Sequence, residues 1–73
     1  MIKNNLLMEK LIDKSVPISL VDQDGNAFSL MAYFRKNALK NGWNLDEVQL
    51  VLDQAVSGNY DHLVATLLLY CDE

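Results

Sequence analysis

Apolar and polar residues alternate along this chain with two different periods, and each change of period marks an element. From Ala27 to Lys40 the spacing is helical. Ala27, Leu30, Met31, Phe34 and Ala38 fall on one stripe, Phe28 and Leu39 flank it, and Ser29, Lys36, Asn37 and Lys40 take the wet side. Asn26 is the expected N-cap and Gly42 the expected left-handed terminator. The run Trp43-Asn44-Leu45-Asp46-Glu47-Val48 carries the sharpest local signal. Asn44 is placed to accept from first-turn amides while Glu47, three residues on, reaches back in a capping box; Trp43 and Val48 hold the two positions of a hydrophobic staple. The helix so started is expected to run to about Ser57 and to bury Leu45, Val48, Val51, Leu52, Ala55 and Val56. Gly58 interrupts it, Asn59 caps the next, and Tyr60 to Cys71 reads as a last helix that is apolar nearly all round.

Upstream the pattern is less regular. Leu7, Met8, Leu11 and Ile12 share one side of a helix predicted over Asn4–Lys14, opposite Glu9 and Lys10. Val16 precedes Pro17 and is pushed out of helical dihedrals, which ends that helix. Val16 to Val21 then reads as extended, with Ile18 and Leu20 on one face, before the turn Asp22-Gln23-Asp24-Gly25-Asn26, where Gly25 is expected at positive φ. A lone extended segment leaves backbone groups unpaired. It is expected to pack irregularly, to pair with the N-terminus, or to pair with a second copy. The fold class that follows is mainly α, three to four short helices around one small core with a short extended N-terminal segment. The 73 residues form a single domain, with 1–15 a helical extension and 16–71 the core.

Composition narrows the chemistry. Six basic against ten acidic residues give a net charge of −4, too few cations for a strong phosphate-binding surface. A single cysteine excludes an internal disulfide framework and a four-ligand zinc site, and a single histidine excludes most histidine-based metal sites. No apolar run is long enough to span a membrane, and the N-terminus shows no signal-peptide core. The expected setting is cytoplasmic, with no membrane association and no cofactor.

Three clusters carry candidate chemistry. Asp22, Asp24 and Asn26 alternate like the opening of a calcium loop. The glycine stands at the fourth position instead of the sixth, and Tyr33 occupies the twelfth, where a bidentate glutamate is required. Tyr60, Asp61 and His62 gather a phenol, a carboxylate and an imidazole at a helix N-terminus. Asp61 suits any first turn, His62 is expected to point away from the Leu63/Leu67 stripe, and no nucleophile stands at a plausible spacing, Ser57 reading only as a loop residue. Arg35, Lys36 and Lys40 give one helix a charge of +3, against six acids and no lysine or arginine from Trp43 to Glu73. Cations also suit a helix C-terminus, so a nucleic-acid role for these three is the weaker reading. Cys71, in an apolar run, reads as a small buried hydrophobe.

The segments Asp24-Gly25-Asn26-Ala27-Phe28, Lys40-Asn41-Gly42-Trp43 and Ala55-Val56-Ser57-Gly58-Asn59-Tyr60-Asp61-His62-Leu63, with the trailing Thr66-Leu67, together resemble a family of small uncharacterised proteins from bacterial mobile elements, phages and prophages. The likeness covers about residues 16–71, and Asn59 stands where that pattern often has aspartate. The resemblance implies a phage or mobile-element setting and no particular activity or catalytic residue. The expected function is that of a non-enzymatic accessory protein that binds a protein partner or itself. Tyr60, Asp61 and His62 supply an enzymatic alternative, and Arg35, Lys36 and Lys40 a nucleic-acid one. A homodimer is expected because the last helix has no wet face. Leu68 and Leu69 are its expected contacts, unless the N-terminal helix folds back over them.

Overall fold

A computed structural model describes residues 9–21 and 23–72. Among them are three helices, α1 (Ala27–Lys40), α2 (Leu45–Ala55) and α3 (Tyr60–Leu69), and no multi-residue strand. Each helix starts on an asparagine with extended backbone. Asn26 Oδ1 accepts from the N–H groups of Phe28 and Ser29, Asn44 from Glu47, and Asn59 from His62. The capping box at α2 is complete, with Glu47 Oε1 accepting from Asn44 N at 2.9 Å. α1 stops at Gly42, whose φ of +92° lets the chain reverse so that Trp43 N donates to Ala38 O at 3.0 Å. No other described residue has positive φ, so Gly25 does not adopt the left-handed conformation expected of it. The turn is made by a side chain instead: Asp24 Oδ1 accepts from Asn26 N at 3.1 Å, which bends the chain without an unusual backbone.

The three helices pack around Leu30, Phe34 and Ala38 of α1, Val48, Val51 and Ala55 of α2, and Leu63 and Leu67 of α3. Trp43, between α1 and α2, and Tyr70, just past α3, complete an aromatic cluster with Phe34, all three rings meeting edge to face. Val16, Ile18 and Leu20 close the core from the extended segment, on the alternation expected of it. Leu45 and Val56 do not join that core. They stand 60% and 55% exposed, because Val48, Val51 and Ala55 define the inward side of α2 and neither of the two shares it.

The extended segment finds its partner within the chain. Val16 N donates to Tyr70 O at 2.7 Å and Asp72 N donates to Val16 O at 2.8 Å, a parallel bridge between Val16 and Cys71. This pairing ends α3 at Leu69, short of the expected Cys71. The segment therefore needs no second copy to satisfy Val16.

The helix expected over Asn4–Lys14 is absent from residues 9–14; residues 4–8 lie outside the described residues. The backbone there is held by distant side chains. Leu11 N donates to Tyr70 Oη at 2.7 Å, and Glu9 O accepts from Gln54 Nε2 at 2.8 Å. Tyr70 Oη in turn donates to Gln54 Oε1 at 2.9 Å, and Lys10 Nζ lies 5.7 Å from the centre of the Tyr70 ring. A short isolated helix is marginal in water, and these tertiary bonds compete with it for the same backbone groups.

Lys14 Nζ reaches Glu47 Oε1 at 2.8 Å and ties this segment to the start of α2. The Lys14 ammonium, then the Asn44 N–H, hold the Glu47 carboxyl below its ordinary range. A depressed folded-state value means that the contribution to stability is present above the unfolded value of ~4.3 and is lost as pH falls through the folded one. Acid titration of Glu47→Gln, followed by circular dichroism, is therefore expected to show a shallower loss of stability below ~pH 4.3 than the parent chain. Equal acid limbs would show that Glu47 is not linked to folding.

Candidate functional site

The N-terminus of α1, the loop 56–59 and the first turn of α3 converge on one side of the molecule. Tyr60 Oη donates a hydrogen bond to Gly25 O, joining the turn before α1 to the start of α3. Ala27, Phe28, Met31, Val56, Gly58, Asn59, Tyr60 and Leu63 line a groove of about 300 Å³ between them. Its walls are largely apolar. Phe28, two residues after the capping Asn26 and beside the core stripe, is 78% exposed. Val56 and Tyr60 form the opposite rim, both about half exposed.

Behind that rim the imidazole of His62 meets the end of α2. Nε2 lies 2.8 Å from Gln54 O, 3.1 Å from Ser57 Oγ and 3.4 Å from Thr66 Oγ1. The approach of Ser57 overturns the expectation that no nucleophile stands near His62. Its chemistry is nevertheless that of a cap. A carbonyl oxygen can only accept, so Nε2 carries the proton and donates it to Gln54 O. Ser57 Oγ donates to the same carbonyl at 2.7 Å and Ser57 N at 3.3 Å, so several donors converge on one last-turn acceptor of α2. With its lone pair used for the N–H, Nε2 cannot take a proton from Ser57 in this arrangement. Gly58 permits the close packing: a Cβ there would stand 2.7 Å from His62 Cγ.

Of the residues singled out in the sequence, Tyr60 lines the groove and His62 lies behind it, each as a structural tie, and Asp61 between them is exposed in the first turn of α3. Arg35, Lys36 and Lys40 are all exposed on α1. Arg35 follows Phe28 by seven residues and Met31 by four, which sets it on the groove side of the helix; Lys36 and Lys40 lie further round. Leu68 is 43% exposed, whereas Leu69 is half-buried and packs on the core, so the two do not form one outward face.

No family model, curated protein or solved structure matches this chain. The geometry therefore stands alone. Among the described residues no group of three or more histidine, cysteine, aspartate or glutamate side chains is placed to hold a metal ion. The carboxylate of Asp24 is engaged by Asn26 N and Ser29 Oγ, within its own turn. No described helix is long and apolar enough to cross a membrane. Cys71 is half-buried against the core, as its apolar surroundings suggest.

Gln54 and Tyr70 are the polar residues that sequence reasoning missed. Gln54 ties four groups together, through its carbonyl to His62 and Ser57 and through its side chain to Tyr70 and Glu9. A glutamine on a helix otherwise marked by caps and apolar spacing gives no local sign of this.

Proposed function

We propose that this chain is a cytoplasmic accessory protein that acts by binding a protein surface and performs no chemistry of its own. The observation that carries the reading is Phe28, a large aromatic side chain left 78% exposed beside an apolar groove. An apolar surface of this kind, rimmed by polar residues, is characteristic of interaction sites. Two further points support it. The groups best suited to catalysis, the Tyr60 hydroxyl and the His62 imidazole, are engaged in bonds that hold α2, α3 and the turn before α1 together. The segments that carry the likeness to proteins of phages and mobile elements, Asp24–Phe28 and Ser57–Leu63, are also the segments that build the groove. That likeness favours a setting in which small proteins bind a host or phage component.

The test is affinity capture from cells that naturally contain the protein, with the parent chain and Phe28→Glu in parallel. A protein retained by the parent and lost with Phe28→Glu, while helical content is unchanged, is the expected result. Equal capture by both would overturn the reading. An enzymatic role for Tyr60, Asp61 and His62 would be favoured instead if His62→Gln removed a defined activity without loss of fold.

A further inference from the structure

We propose that the groove beside Phe28 is where two copies of this chain meet, each seating its Phe28 ring in the other's groove with the two α1 helices antiparallel. The inference rests on the reading that the chain acts through binding, and it names the partner as a second copy. A knob next to its own hole is the self-complementary pattern that a two-fold axis requires, because the same patch must present both halves of the contact. Phe28 supplies the knob, and Met31, Val56, Tyr60 and Leu63 supply the hole.

Charge then selects both the orientation and the occupant. Arg35 is exposed and has no ion-pair partner among the described residues. It lies toward the C-terminal end of α1, about 10 Å along the axis from Phe28 at 1.5 Å per residue. At the other end of the groove, acids stand next in the chain to the residues that close it. The bond from Tyr60 Oη to Gly25 O brings the chain neighbours Asp24 and Asp61, both exposed, to the same rim. With Phe28 near the axis and the helices antiparallel, Arg35 of each copy is carried onto the acidic rim of the other. Both contacts join opposite charges, and the reversed orientation would set like against like. One molecule thus holds a cation and its matching carboxylates on opposite sides of one apolar knob, and this favours a second copy over an unrelated acidic partner.

The experiment is a mass measurement by analytical ultracentrifugation at micromolar concentration. The parent chain is expected at twice the 8.3 kDa mass of one copy. Phe28→Glu, Arg35→Glu and Asp61→Arg, each alone, are expected at the single mass with unchanged circular dichroism. An equal mixture of Arg35→Glu and Asp61→Arg is expected to recover the doubled mass, because in the mixed pair both contacts again join opposite charges. Should Phe28→Glu fail to fold, that mixture decides the matter. A parent chain at the single mass would overturn the proposal, as would a dimer that survives Arg35→Glu or is dissociated by Leu68→Glu. A monomeric parent that still captures another protein through Phe28 would sink the self-association alone. Capture indifferent to Phe28 would sink the underlying reading.

Discussion

Trp43→Ala is expected to lower the free energy of unfolding by about 3–5 kcal/mol, the range for removing a large buried aromatic side chain. Trp43 is 4% exposed and lies in the short connection between α1 and α2. Its ring meets Phe34 of α1 at 5.6 Å between centroids and Tyr70, beyond α3, at 6.0 Å, both edge to face. Each such pair adds roughly 0.5–1.5 kcal/mol beyond the area it buries. Truncation would therefore open a cavity where the ends of two helices meet. A domain of this length has a total stability of about 4–11 kcal/mol, so the loss is from about a quarter to the whole of it. Urea denaturation followed by circular dichroism measures the change. In the parent chain, a red-shifted tryptophan emission freely quenched by solute would count against this packing.

Tyr70→Phe tests the other long-range tie and is expected to cost about 2 kcal/mol. The ring stays in place, so the aromatic cluster is kept and only the hydroxyl is removed. Two groups then lose a partner at once: the Leu11 N–H that donates to Oη and the Gln54 Oε1 that accepts from it. Hydrogen exchange gives the specific readout. The Leu11 amide is expected to lose its protection while the amides of α1 keep theirs. An unchanged Leu11 rate would show that this bond does not hold the segment.

What could be foreseen from the chain divides along the range of the interactions. The capping asparagines Asn26, Asn44 and Asn59, the Glu47 half of the capping box and the Gly42 stop are local, and each stands where short-range chemistry puts it. The core stripe of α1 follows from period alone. Leu45 and Val56 escaped because the inward side of a short helix depends on where its neighbours lie, and spacing within the helix leaves that open. The same limit hid the meeting of Ser57 with His62, which depends on how α3 folds back against the end of α2. The Val16–Cys71 bridge and the bonds from Tyr70 and Gln54 to residues 9–11 join distant parts of the chain, and residue type alone does not signal them. They account for the misread helix over 9–14. Its apolar pattern is real, but its backbone groups have tertiary partners.

The pairing of Val16 with Cys71 also imposes an order on biosynthesis. Val16, Ile18 and Leu20 leave the ribosome before any of the three described helices, yet the N–H and C=O of Val16 wait for Tyr70 and Asp72. Leu11 waits as long for Tyr70, 59 positions further on. Contacts of such separation carry the full entropy of closing the intervening loop and form only after local structure is in place. A nascent chain halted at the end of α2 would hold two helices with the Trp43 ring only half covered and an apolar strap with nowhere to lie. Folding of this domain is thus completed only when the segment that follows α3 closes over the one that precedes α1.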